Sequence, residues 1–313
     1  MPAPRLFRSL LIAIALGAAV ALGLAATASL SATLDALARF RWRLGPVVVL
    51  AVLANWALRF AKWQFYLRCL EIPLPWQPSL RVFLAGFTMA ISPGKLGEVL
   101  KAVLVRRLVG TPVSRTASVV MAERLTDLAG LVLLGALGVT ALPHGPVLLG
   151  GIALALVVAV IVLRTPAVGR SAQGLLPARL VEPVRLFVHS GRALLTSGAL
   201  AVALGLSVVS WFFECVALGL ILEGLGVALP LRVTTFVYAF ASLAGAVSML
   251  PGGLGVAEGS LTALLAGLGT PLAEAAAATL LVRGATLWLA VALGVATLLV
   301  AFRGEPEGGP ARA

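Results

Sequence analysis

Apolar residues in this chain come in long runs, separated by short segments carrying arginine, proline and glycine. The first run covers residues 9–30 behind Arg5 and Arg8. It exceeds the about 7–15 residues of a secretory signal core and so predicts a retained span. A cleaved signal peptide is the rival reading, for which Ala26-Thr27-Ala28 resembles a processing site. A loop with Asp35, Arg39, Arg41 and Arg43 follows, then a span over residues 45–66. Trp56, Arg59, Lys62, Trp63 and Tyr66 dress its end as an aromatic and basic interface belt. Two shorter apolar pieces, residues 80–91 and 96–108, flank Ser92-Pro93-Gly94-Lys95. Neither piece comfortably crosses a hydrocarbon core of about 30 Å, so together they predict a hairpin opening on one side.

Full spans are expected over residues 116–141 and 147–163, joined by a tight turn at Pro143-His144-Gly145-Pro146. The longest polar stretch, residues 164–192, holds Arg164, Arg170, Arg179, Arg185 and Arg192 against Glu182, with Leu176, Leu180, Val184 and Phe187 interleaved. This pattern predicts a basic amphipathic linker on an anionic inner leaflet, with a plain solvated loop as the alternative. A fifth span covers residues 198–222. A second interrupted pair, residues 233–250 and 254–268, is split by Pro251-Gly252-Gly253, and a last span covers 273–301. The tail from 303 to 313 is rich in Gly, Pro and Glu and is expected to be disordered.

Composition agrees with the runs. Of 313 residues, 60% are hydrophobic and only 12% charged, with a mean hydropathy of +1.07. A soluble domain carries about 25% charged residues, so this surface is built for lipid. The net charge of +12 does not imply nucleic acid, because the basic residues sit in short loops in the pattern that orients membrane proteins. With the N-terminus inside, sixteen basic residues fall on the cytoplasmic side, four outside and four within spans. The chain is therefore expected in the inner (plasma) membrane, multi-pass, with both termini cytoplasmic. Cys69 and Cys215 read as packing residues, and His144 and His189 as isolated loop residues, so neither metal nor cofactor is expected.

The two interruptions resemble each other. Pro93-Gly94-Lys95-Leu96-Gly97-Glu98 and Pro251-Gly252-Gly253-Leu254-Gly255 both read Pro-Gly-x-Leu-Gly, and a glutamate, Glu98 or Glu258, follows shortly in each. About thirty residues beyond each proline an arginine, Arg124 or Arg283, stands inside an apolar run. Three full spans lie between the hairpins, so they open on opposite sides. The expected fold is all-α: a polytopic transmembrane bundle, residues 1–302, with two inverted-topology repeats (about 45–163 and 198–301) and two broken or re-entrant hairpins. Ser92 and Pro93 suit the start of a half-helix. Gly94, Gly97, Gly252, Gly253 and Gly255 allow close backbone approach. Non-helical backbone at membrane depth requires protein or a watered cavity around it, and helix kinks that merely aid packing are the alternative.

The in-span charges sharpen the expectation of a cavity: Lys95, Glu98, Lys101, Glu123, Arg124, Asp127, Glu214, Glu258 and Arg283. Each costs about 2.5–3.5 kcal/mol on insertion scales, so the set is expected to be functional. For any single residue, structural pairing is the alternative, as between Arg124 and Asp127 or Glu258 and Arg283. The set sums to minus one, which leaves the sign of a cargo open.

At these residues the chain resembles the transmembrane region of lysylphosphatidylglycerol synthases, the flippase-like membrane proteins. The likeness rests on SerProGlyLysLeuGlyGlu at 92–98, GluArgLeuThrAsp at 123–127, and LeuProGlyGlyLeuGlyValAlaGluGly at 250–259 followed by Arg283. It implies movement of a lipid head group between leaflets; the soluble synthase domain of that family has no counterpart in this sequence. The expected function is a lipid translocase acting on a phospholipid or glycolipid, with Lys95, Arg124 and Arg283 binding phosphate. Glu98, Glu123, Asp127 and Glu258 would bind cationic head-group atoms or carry a proton, and Lys101 belongs to the same site. Alternatives are a membrane-embedded lipid-modifying transferase, for which no nucleophile–base pair or phosphate loop is seen, or a non-catalytic accessory subunit.

Overall fold

A computed structural model describes residues 15–20, 22–23, 29–91, 99–139, 145–165 and 177–301. These residues are helical, without strands. In chain order the helices are α1 (Leu30–Arg39), α2 (Gly45–Cys69), α3 (Trp76–Gly86), α4 (Val99–Val109), α5 (Val113–Ala136) and α6 (Gly145–Arg164). Then come α7 (Ala178–Leu194), α8 (Ser197–Gly224), α9 (Leu231–Val247), α10 (Val256–Gly267), α11 (Leu272–Arg283) and α12 (Leu289–Ala301). Prolines punctuate the chain: Pro75, Pro112, Pro177, Pro230 and Pro271 each stand immediately before a helix. Their locked φ and missing N–H suit a loop-to-helix junction and oppose helix on the preceding side.

Among the described residues, three helical segments are long and apolar enough to cross a membrane by length and composition: Trp42–Cys69, Ser197–Gly224 and Leu272–Ala301. The last contains α11 and α12, joined by a π-turn at Gly284–Trp288. α2 and α8 pack along each other and against α5. Buried side chains including Trp63, Tyr66 and Leu218, with Phe83 of α3 and Phe236 of α9, form the core.

The ends of these helices place the hairpins. The Arg41 N–H, just before α2, donates to the Gly224 carbonyl at the end of α8. One end of the bundle therefore holds the start of α2 and the end of α8, and α9 begins there after a short loop. At the other end, Arg115 at the start of α5 donates to the carbonyl of Leu70 just past α2, and α3 starts nearby. At about 1.5 Å per residue, the 25 residues of α2 separate the two ends by nearly 40 Å. The α3–α4 pair thus rises from one end and the α9–α10 pair from the other. They meet between: Phe87–Ile91, a 3-10 extension of α3, touches the Pro251–Gly253 turn that joins α9 to α10. Ile91, Leu254, Leu287 and Val291 seal that contact as a small apolar cluster.

The turn itself needs glycine. Gly252, Gly253 and Gly255 have φ of 61°, 67° and 85°, the left-handed region that costs other residues about 1–2 kcal/mol. A Cβ at Gly253 would also stand 3.0 Å from the Cα of Gly245 across the hairpin.

Five expectations change. The outer loop with Asp35 and Arg39 is largely the helix α1, which packs on α11. The supposed interface belt is interior: Trp56, Lys62, Trp63 and Tyr66 are all buried. His189 lies on α7 rather than in a loop, and Cys69 is exposed rather than packed, whereas Cys215 is buried. The 164–192 linker is in part helix α7, and α7 packs against α5, so the protein occupies a side of it that sequence alone assigns to lipid or water. Outward, Arg185 pairs with Glu182 at 2.9 Å, and Arg192 donates to the Thr165 carbonyl at 2.8 Å. Ser92, Pro93, Gly94, Lys95, Gly97, Glu98, Arg170, the 303–313 tail, Pro143 and His144 of the expected turn and the Ala26–Ala28 cleavage motif lie outside the described residues.

Candidate functional site

Where the two hairpins meet, a cavity of about 140 Å³ opens. Its wall combines the apolar faces of Trp56, Phe87 and Trp211 with five ionisable groups: Arg59, Lys101, Arg124, Glu214 and Arg283. Lys101, Arg124, Glu214 and Arg283 stand inside apolar runs, which explains why sequence singles them out.

Each cation is anchored by a carboxylate set behind it. Glu123 accepts from Lys101 at 2.9 Å, and the Lys101 ammonium lies over the Trp63 and Phe83 rings at 4.7 and 5.2 Å. The stem of Lys101 passes Gly86 so closely that a Cβ there would stand 2.9 Å from it. Asp127, buried on α5, accepts from Lys62 and lies 3.7 Å from Arg59 and 3.8 Å from Arg124. Ser207 of α8 completes this cluster, accepting from Lys62 at 2.7 Å and donating to Asp127 at 3.2 Å. Arg59 is further held over the Trp211 ring, 5.5 Å from its centroid.

The second hairpin has its own anchor. Glu258 accepts from Arg283 Nε and, through its other oxygen, from the Gly255 backbone N–H at 2.7 Å. It thereby caps the start of α10. Arg283 also donates to the Gly252 carbonyl at 2.7 Å. One guanidinium thus ties the Pro-Gly-Gly turn to the π-turn of the last helix. Such π-turns store local irregularity, and functional sites frequently use them.

Glu214 differs from the other acids. It faces the cavity and, among the described residues, takes its hydrogen bond from the Tyr238 hydroxyl.

Of the residues expected at the site, Lys101, Arg124, Arg283 and Gly252 line the cavity, while Glu123, Asp127 and Glu258 stand behind it as counter-ions. Gly253 and Gly255 shape the turn without lining it. Lys95 and Glu98 fall outside the described residues. The structure adds Arg59, Lys62 and Tyr238. Arg59 and Lys62 share a helical stripe with Asn55 and Tyr66, at spacings of four, three and four residues, and that stripe is their only signal in the sequence. Tyr238 has none, since a lone tyrosine in an apolar run reads as core.

The geometry is a small charged chamber at the meeting of two hairpins, with cations presented inward and their acids withdrawn. Comparison with known proteins gives this chamber a family. The sequence profile of the lysylphosphatidylglycerol synthase transmembrane region matches residues 10–294. A UPF0104 membrane protein of Methanothermobacter thermautotrophicus is 27% identical over 282 residues, covering 81% of this chain and 82% of that protein. Another UPF0104 membrane protein of that organism is 30% identical over 125 residues, or 38% of this chain and 37% of that one. With most of its length matched, the chain is a membrane protein that belongs to the lysylphosphatidylglycerol synthase transmembrane-region family.

Proposed function

We propose that the protein is a lipid translocase, passing a polar lipid head group between leaflets through the chamber while the acyl chains stay in lipid. The observation that carries this reading is the set of ionisable side chains from α2, α4, α5, α8 and α11 that lines a chamber where two hairpins from opposite ends of the bundle meet. Ionisable side chains inside a membrane bundle are costly even when paired, and they commonly mark substrate or ion pathways. The hairpins read as an inverted repeat, the plan by which transporters build a site reachable in turn from either side. Residues 1–302 act in this reading as one transmembrane domain. The end carrying Arg68, Arg106, Arg107, Arg115 and Arg185 is cytoplasmic, with both termini there, in the inner (plasma) membrane. Arg185 and Arg192 of α7, with Arg170 and Arg179, would meet its anionic lipid surface. Lys95 and Glu98, next to the first hairpin tip in sequence, would extend the charged route.

A reconstituted flip assay tests the reading. Proteoliposomes carrying the protein should move a fluorescent phospholipid faster than protein-free vesicles, and Arg124→Ala/Arg283→Ala should fall to the protein-free rate while remaining folded. Wild-type protein at the protein-free rate with every phospholipid and glycolipid tried would overturn it.

A further inference from the structure

Among the described residues Glu214 is the one acid that lines the chamber, and it is held unlike the other buried acids. Glu123, Asp127 and Glu258 each pair with a lysine or arginine. Glu214, only 4% exposed, pairs with none of the described cations and accepts from the Tyr238 hydroxyl. An ion-paired carboxylate cannot take a proton without stranding its cation. A carboxyl partnered by a hydroxyl keeps its hydrogen bond in both states: ionised it accepts from the phenol, and protonated it donates to the phenol oxygen or to water. We infer that Glu214, partnered by Tyr238, is a proton-binding site in the chamber wall, taking up and releasing a proton as the chamber fills and empties. This rests on the reading of the chamber as the head-group route and gives that route its coupling ion.

The surroundings suit a proton. α8 carries Glu214 and packs against α2, α5, α9 and α11. The charged and titratable groups around it on these helices are Arg59 of α2, Arg124 and Asp127 of α5, Tyr238 of α9 and Arg283 of α11. Lys101 of α4 lines the same wall, and Cys215 is its neighbour in sequence. The cavity of about 140 Å³ has room for several waters to bring a proton, since one needs about 10–15 Å³. Ser242, one helical turn beyond Tyr238 on α9, adds a hydroxyl to the lining. In the transfer, a hydronium ion in the chamber gives its proton to a carboxylate oxygen, an O–H bond forms there, and a water is left. The described wall then loses its one negative charge. A charged occupant therefore binds one protonation state better and, by linkage, shifts the proton on Glu214 in turn. A calcium or magnesium ion fits less well, because it collects about six or more oxygen ligands and four cationic side chains stand in this wall.

Infrared spectroscopy of the full chain in lipid, titrated with acid, reads the proton directly. A carboxylic-acid C=O band should grow on acidification, be lost in Glu214→Gln, and shift in position and midpoint in Tyr238→Phe, with folding checked by the thermal midpoint. A second measurement uses proteoliposomes with fluorescent phosphatidylcholine or phosphatidylglycerol, whose phosphodiesters do not titrate near neutrality. An imposed pH gradient should change the wild-type rate of lipid movement, and dissipating it should abolish the change. Folded Glu214→Gln should lose that response. A spectrum with no band lost in folded Glu214→Gln, or a gradient response that persists in it, overturns the inference. Should Glu214→Gln fail to fold, an unmoved band in folded Tyr238→Phe overturns it equally. A wild-type rate that follows a sodium gradient at fixed pH and ignores the proton gradient gives the site to a metal cation and overturns it too. Wild-type protein that shows the Glu214 band yet moves no phospholipid or glycolipid sinks the translocase reading and leaves the proton site standing.

Discussion

Lys62 and Asp127 form the most deeply buried ion pair, with Ser207 and Thr126 as further partners of the ammonium. A buried pair adds little net stability when intact, but removing one member leaves a stranded charge at a cost of about 3–5 kcal/mol. Lys62→Met should therefore lower the thermal midpoint in detergent sharply. Lys62→Met/Asp127→Leu should recover much of that loss, although Arg59 and Arg124 then lose a neighbour. A double variant no more stable than the single would show that the pair is not what holds this part of α2 to α5. The contrast also explains what the sequence conceals. Charges such as Glu123, Asp127 and Arg283 interrupt apolar runs and announce themselves. Arg59 and Lys62 stand near the end of a span, where long basic side chains ordinarily reach for the interface. Only the three-dimensional neighbours on α5 and α8 turn them inward.

The α9–α10 hairpin is legible as an element because Pro251-Gly252-Gly253 breaks an apolar run at a point too early for a full span. Its geometry makes opposite predictions at two glycines. Gly253→Ala meets both a left-handed φ of 67° and the Gly245 backbone, and should cost at least about 1–2 kcal/mol. Gly259 lies inside α10 with open space where a Cβ would go. Gly259→Ala should be neutral or raise stability by about 0.5–1 kcal/mol. Thermal unfolding of the two purified variants separates them, and equal effects would contradict the turn described. Helix α1 was hidden for a different reason. Its ten residues carry Asp35 and Arg39 among small apolar side chains, so it reads as loop until α11 is seen to receive its buried face.

At the scale of the whole molecule, the two natural cysteines report orientation. Cys69 is exposed at the basic end of α2 and Cys215 is buried in α8. A membrane-impermeant maleimide should label Cys69 in inside-out vesicles and spare it in intact spheroplasts, with Cys69→Ser abolishing the signal. Labelling from outside alone would invert the proposed topology. The long apolar helices and the break between α9 and α10 follow from run length and loop composition. The meeting of Phe87–Ile91 with Pro251–Gly253 does not, because no local pattern encodes which distant turns touch.

The central claim is that the head group passes through the chamber between the hairpin tips. Ser242 and Ala246 line it from α9 without belonging to its charge network, so Ser242→Trp and Ala246→Trp obstruct the space and leave the ion pairs alone. The decisive measurement is the rate of fluorescent phospholipid translocation in proteoliposomes containing either variant, with folding checked by the thermal midpoint. The account predicts translocation by the wild type and a protein-free rate for folded, obstructed protein. Wild-type speed through a filled chamber would contradict it.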